Sequence, residues 1–354
     1  MTRGAGPNPV LVDVFRGALV ESRHCGAIAV SDSEGGLLLS LGDVERPVYP
    51  RSAMKALQAI PLVESGAADA FGLEAEELAV ACASHSGDQQ HLEAVTRLLG
   101  KAGLDESYLV CGAHWPISER TTRELLAARH RPRPIHNNCS GKHAGMLAAA
   151  VHLGLSPRGY EKPDHPLQIT IARILSETCG VPLEQTHRGI DGCSLPTIAV
   201  PLAALARGFA RLATGERLPQ TRAATMRRLF AACFAAPVLV AGEGRFDTIV
   251  LRGLAPSVLT KGGAEGVHCA ALPEVGLGIA LKIDDGTKRG AERAMGEVLA
   301  ALVPAAQKVL AAELAGEMHN WRGLAVGRIA ASAELEEALG DLAHPSRAGS
   351  RTSG

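Results

Sequence analysis

Ser52 and Lys55 stand three residues apart in the run Tyr49-Pro50-Arg51-Ser52-Ala53-Met54-Lys55. On a helix that spacing puts both side chains on one face, within mutual reach. Pro50 disfavours helix before it, and Met54, Leu57 and Ile60 supply an apolar stripe, so Ser52 is predicted to open a helix. A serine hydroxyl becomes a useful nucleophile when a base accepts its proton, and a neutral lysine is such a base. The amine must then fall from about 10.4 to near 7, roughly 3 units or ~4 kcal/mol. Burial or a second ammonium nearby supplies a shift of that size. Backbone N–H groups at the helix start would face the oxyanion of an acyl-transfer step. Taken alone, the spacing describes a cap residue and a solvated lysine equally well.

Two further elements follow in chain order. Ser84-His85-Ser86-Gly87 forms a turn at the end of an apolar segment, and Lys261-Gly262-Gly263 closes a predicted strand. That order of Ser-x-x-Lys, serine turn and Lys-Gly strand is the order found in penicillin-recognising serine enzymes. Gly262 and Gly263 would let a substrate lie against bare backbone. Only eight of the 36 basic residues are lysines. A lysine kept where arginine is otherwise preferred points to amine chemistry, which arginine cannot perform because it does not deprotonate.

A third cluster is Asn137-Asn138-Cys139-Ser140-Gly141-Lys142-His143, followed by Asp191-Gly192-Cys193. Two cysteines near a lysine and a histidine suit a soft metal, zinc first, although the spacing is not that of a zinc finger. Spacing favours His143 as the third ligand, and two buried free thiols in Gly-bounded turns are the alternative. The other six cysteines sit in apolar contexts and read as core. The isolated histidines, His268 among them, read as structural or surface residues.

The elements that must position these groups fall into three zones. Short β-rich runs occupy Val10–Phe15, Ala27–Ser31 and Leu37–Leu41. Helical periodicity dominates from Ser52 to about Ala241, and strands return at Thr248–Leu251, Ser257–Thr260, Gly266–Ala271 and Gly278–Ile283. A final helical pattern from Arg289 to Leu314 is predicted to break at Pro304. Strands at both ends imply that the ends share one antiparallel sheet, giving an α+β catalytic unit over 9–340. Its sheet lobe would take 9–50 and 244–330, its helical lobe 51–243, and a disordered tail 341–354.

Composition narrows the function. Apolar residues make up 46% of the chain and charged ones 21%, which describes a globular protein rather than a disordered one. With a formal charge of −1 and no basic stripe, nucleic-acid binding is not expected. Met1 to Val20 lacks a signal-peptide core, and Leu229 to Gly242 is too short and Pro-broken for a membrane span. Eight cysteines in such a chain are expected to be reduced, in the cytoplasm.

Together these residues resemble the Rhizobium etli-type, or class 3, L-asparaginases. The resemblance runs from Val20-Glu21-Ser22-Arg23-His24 to Asp284-Asp285-Gly286, and the motifs above carry it. It implies a fold related to serine β-lactamases and glutaminases, a homodimer, and hydrolysis of L-asparagine to L-aspartate and ammonia. It implies two Ser–Lys tandems, Ser52 with Lys55 and Ser84 with Lys261. It also implies zinc on Cys139, Lys142 and Cys193, so that Lys142 replaces His143 as ligand. Arg51, His143 and Asp191 become candidates for holding the substrate's α-carboxylate and α-amino groups, with Gly262 and Gly263 alongside. The competing readings are a β-lactamase or peptidase, a zinc hydrolase, and an asparagine-binding sensor without turnover.

Overall fold

The computed structural model describes residues 7–343. Strands β1 (Val10–Arg16), β2 (Leu19–Ser31), β3 (Leu37–Leu41) and β4 (Pro47–Val48) precede the first helical turns. β5 (His187–Ile190) and β6 (Pro196–Pro201) interrupt the helical middle. β7 (Leu259–Gly262), β8 (Val267–Leu272), β9 (Leu277–Ile283), β10 (Glu317–His319) and β11 (Ala325–Ala331) complete the set. The main sheet runs β10-β11-β1-β2-β9-β8-β7, with β3 also paired to β2, and its pairings are antiparallel. The two ends of the chain therefore do share one sheet, and the fold is α+β.

Side chains alternate faces along each strand, and here the alternation is also one of size. Ala27 and Ala29 on β2, Cys269 and Ala271 on β8, and Ala280 on β9 face the helical lobe. Ile28, Val30, Leu272, Ile279 and Leu281 face the other way. The small residues let the helix Leu202–Thr214 lie directly on β9, β2 and β8. The large ones pack under the helices Lys288–Leu302 and Ala333–Ala343. Because both faces are covered, β8 is buried along its whole length and β9 almost so.

Four expectations need correction. Thr248–Leu251 is not a strand but part of the helix Phe246–Gly253; a four-residue apolar run carries no period that separates the two. The expected helical lobe also holds two strands, β5 and β6, which join β4 from the segment before it in a small sheet of order β4-β6-β5. Ser52 does not cap a helix: Arg51–Met54 is a 3-10 turn capped by Pro50, followed by the short helices Lys55–Gln58 and Ile60–Glu64. Residues 341–343, expected in the tail, belong to the helix Ala333–Ala343, whose stripe of Leu335, Leu339 and Leu342 reaches the core. The rest of that tail, 344–354, lies outside the described residues. The last helical pattern does break near Pro304, into Lys288–Leu302, Ala306–Val309 and Ala311–Ala315. Among the described residues no helix is long and apolar enough to cross a membrane.

Candidate active site

The chain leaves the sheet at Tyr49-Pro50 and enters the helical lobe through Arg51, whose φ is +52°. A left-handed backbone costs a non-glycine residue about 1–2 kcal/mol. The turn it makes brings Ser52 to a cavity of about 220 Å³ between the sheet edge and the helical lobe. Ser84, Asn138, Arg245, Asp247, Gly262 and Gly263 also line this cavity. The strand end carrying Lys261 packs on the serine turn: a side chain at Gly263 would come within 2.8 Å of the Pro50 carbonyl and 3.4 Å of the Ser52 nitrogen. That approach demands glycine.

Lys55 is fully buried. Its Nζ donates to the Ala83 carbonyl at 2.6 Å, to Ser84 Oγ at 2.9 Å and to the Asn138 carbonyl at 3.3 Å. Burial lowers its pKa, and the Lys142 cation adds to this against the opposing pull of Cys139. Ser84 is fixed in turn by its N–H to Val240 O and by Arg245, whose Nη1 donates to Ser84 O at 2.7 Å. Lys261, on β7, donates to Gly262 O at 2.7 Å and lies 3.7 Å from Asp247. Burial pushes the Lys261 amine down to about 8, helped by Lys55 and Arg245 and opposed by Asp247. The two serines thus share one cavity and the two lysines lie near enough to repel. The Ser–Lys hydrogen bond among the described residues joins Lys55 to Ser84; none joins Ser52 to Lys55 or Ser84 to Lys261.

Arg51 and Asp191 pair with each other, Nη2 to Oδ1 at 2.7 Å. Burial opposes ionisation of Asp191, but Lys142 and Arg51 outweigh it and hold the carboxyl below its ordinary value. Next to this pair, Lys142 Nζ contacts Cys193 Sγ at 3.1 Å. The hydrogen bond with Cys193, strengthened by Lys142 and Lys55, holds Cys139 well below the usual thiol value despite burial. The same bond, with burial, pushes Cys193 up. Gly141 makes the cluster possible: its bare Cα sits against the Val80 carbonyl, which seats the helix Ser140–His152 on the helix Ala75–Ala81. Two buried thiols and a buried amine, with Cys193 touching both of the others, are a donor set that fits a soft cation such as zinc. His143 is turned elsewhere, with Nδ1 2.6 Å from the Tyr160 hydroxyl. Among the described residues no three His, Cys, Asp or Glu side chains are grouped to hold a metal, so the spacing-based choice of His143 as third donor is not met. A metal here depends on Lys142.

Asp247, His268 and Arg245 are cavity residues that were missed from sequence. Asp247 stood just before the supposed strand Thr248–Leu251, His268 was set aside as an isolated histidine, and Arg245 belonged to no motif. The available signal was a carboxylate at Asp247 interrupting the apolar run from Phe246 to Leu251.

Behind Ser84, His85 and His91 stack with centroids 5.1 Å apart, and both are buried. Burial holds both imidazoles below their ordinary value, and their mutual repulsion lowers His85 further. Unfolded, each would take a proton near pH 6.5; folded, each takes it only at lower pH. Stability is therefore full above about pH 6.5 and falls below it, by up to ~1.4 kcal/mol per pH unit for each histidine. Thermal melts should show a Tm flat from pH 7 to 8 and declining steadily below 6.5. A Tm unchanged down to pH 5.5 would contradict this.

An α+β enzyme with serines and lysines gathered at the junction of sheet and helical lobe is the class this architecture defines. The family model described as L-asparaginase II matches residues 12–331, and the chain belongs to that family. It is accordingly an amidohydrolase, and the family supports L-asparaginase activity. No curated protein matches the sequence. Among solved structures the chain is similar to a β-lactamase from Mycobacterium bovis, with 16% identity, 81% of this chain and 94% of the other covered, and a TM-score of 0.38. It is also similar to simvastatin synthase from Aspergillus terreus, with 13% identity, 81% and 92% covered, and a TM-score of 0.39. The protein Mglu matches with 17% identity, 86% and 70% covered, and a TM-score of 0.42.

Proposed function

We propose that the chain hydrolyses L-asparagine to L-aspartate and ammonia through a serine ester, with Ser52 as nucleophile and Lys55 as base. The observation that carries this reading is the state of Lys55: a buried amine with no carboxylate bonded to it among the described residues, touching Ser84 Oγ at the cavity that Ser52 enters. Such an amine is driven toward its neutral, proton-accepting form.

Lys55 takes the Ser52 hydroxyl proton as Oγ bonds to the side-chain amide carbon of asparagine. The Ser52 N–H, which precedes the first bond of the turn, Ala53 N to Pro50 O, would donate to the oxyanion. As the C–N bond breaks, the proton on Lys55 passes through Ser84 to the departing nitrogen, which leaves as ammonia. Water then attacks the β-aspartyl ester, giving its proton to Lys55, and the Ser52 oxygen recovers a proton as aspartate leaves. Lys261, kept charged, disfavours a second positive charge on Lys55. Arg51 and Asp191 present a cation and an anion side by side, which suits the α-carboxylate and α-ammonium of an amino acid. His143 is assigned to the same end of the substrate, and Gly262 and Gly263 offer it bare backbone. Zinc held by Cys139, Lys142 and Cys193 would supply a Lewis acid that orients a polar substrate group, outside the proton relay. We place the enzyme in the cytoplasm, as a homodimer; its eight free cysteines suit a reducing compartment.

The test is ammonia release from L-asparagine and L-glutamine, with and without a chelator. The expected result is release from asparagine that chelation weakens through KM while kcat survives. Binding of asparagine without ammonia would make the protein a sensor, and complete loss of kcat on chelation would move the chemistry to a metal-bound water. A second assignment, with Ser84 as nucleophile, is favoured by its direct contact with Lys55 and is separated by the serine variants discussed below.

A further inference from the structure

Asp247 is a buried carboxylate at the start of the helix Phe246–Gly253, and it reaches across to the strand end that carries Lys261. Its two oxygens accept the Gly262 N–H at 3.2 and 3.1 Å. Oδ1 lies 3.0 Å from His268 Nε2, and Oδ2 lies 3.7 Å from Lys261 Nζ. A carboxylate can only accept, so His268 must carry its proton on Nε2. That nitrogen is also 2.9 Å from Thr260 Oγ1, whose hydroxyl in turn donates to Cys269 O across the β7–β8 pair. The network ties three consecutive residues of β7, Thr260 to Gly262, to one carboxylate.

We propose that Asp247 is a positioning residue that pins the Lys261-Gly262 strand end and keeps Lys261 charged at the cavity, with His268 orienting the carboxylate. The proposal rests on the reading above, in which Lys261 acts as a cation. The geometry argues for it in two ways. Among the described residues Asp247 is the carboxylate within ion-pairing distance of Lys261, and against the opposing effect of burial the Lys261 charge and the His268 donor hold the carboxyl well below its usual range. The other groups facing Lys261 are Lys55 and Arg245, which disfavour its charge, and the thiols Cys139, Cys82 and Cys269 on the neighbouring elements. Without Asp247 the buried Lys261 amine would face the Arg245 cation, and Lys55 whenever that amine takes a proton, with no other carboxylate paired to it among the described residues.

The chain's eight lysines make the direct measurement practical. Lysine labelled at Cε with 13C, observed by NMR, should show Lys261 titrating near 8 in the wild type. In Asp247→Asn, which keeps the shape and one acceptor for Gly262 N–H, the midpoint should fall by at least about one unit. The alkaline limb of kcat for ammonia release should move down in pH by the same amount. Asp247→Asn should then cost nothing further in a Lys261→Met background, because Asp247 acts through that amine. His268→Gln, which weakens the same support without removing charge, should give a smaller shift in the same direction. An unchanged Lys261 midpoint in a folded Asp247→Asn protein, or equal losses of kcat in both backgrounds, overturns the proposal. A wild type with no ammonia release, or a fully active Lys261→Met, overturns instead the functional reading on which it rests.

Discussion

Replacing Ser52 by alanine is expected to lower kcat for ammonia release by about 10⁴-fold or more, the scale seen when a covalent nucleophile is removed. The loss should leave the fold and the Cys139-Lys142-Cys193 cluster intact, because Ser52 is only partly buried. Ser84→Ala is the necessary comparison. Ser84 contacts Lys55 at 2.9 Å, so its removal breaks the proposed proton path and should cost about 10²–10³-fold, the range for a general acid–base contribution. Rapid quench of wild type with substrate, followed by mass spectrometry, should place an aspartyl ester on the peptide holding Ser52. If Ser52→Ala stays within tenfold of wild type and the ester is found on the Ser84 peptide, the two serines exchange roles.

Lys55→Met should be nearly as damaging, with a loss of about 10³-fold or more in kcat, because the base disappears while an apolar chain of similar length fills its place. Lys55→Arg should be no better. A guanidinium does not deprotonate, and a permanent cation among the Ala83 and Asn138 carbonyls would remain charged without a carboxylate partner. The arginine variant should therefore be both inactive and less stable than the methionine one, as thermal melts and ammonia release would show. An active Lys55→Arg protein would mean that the lysine contributes charge, and the neutral-base mechanism would be lost.

Much of the site was legible because its parts are short motifs with local consequences. A serine three residues before a lysine, a strand ending in Lys-Gly-Gly, and cysteines beside glycines each announce themselves without knowledge of the fold. The role of Gly263 was seen only in part. Missing side chains were read as room for substrate, while the structure shows them as the room needed by the backbone of the serine turn. Asp247 and His268 were hidden for a different reason. Each is an ordinary residue whose partner lies on another element: helix Phe246–Gly253 for one and β8 for the other. The alternation of small and large residues on β2, β8 and β9 was present in the sequence but acquires meaning only once the two covering layers are known.

The sequence by itself determined the α+β class, the pairing of the chain's two ends in one sheet, the family, and which serines, lysines and cysteines could do chemistry. The class, the sheet pairing and the candidate groups follow from residue type, spacing and periodicity, all of them local properties, and the family from the resemblance that those motifs carry. Only the tertiary structure decided which of those groups touch. It joined Lys55 to Ser84 rather than to Ser52, bound Arg51 to Asp191, turned His143 toward Tyr160, and set Asp247 beneath Lys261. The physical reason is that a hydrogen bond or an ion pair depends on distances of a few ångströms between segments far apart in the chain. Those distances are set by how helices seat on the sheet, at contacts such as Gly141 on Val80 and Gly263 on Pro50, and no local pattern records them.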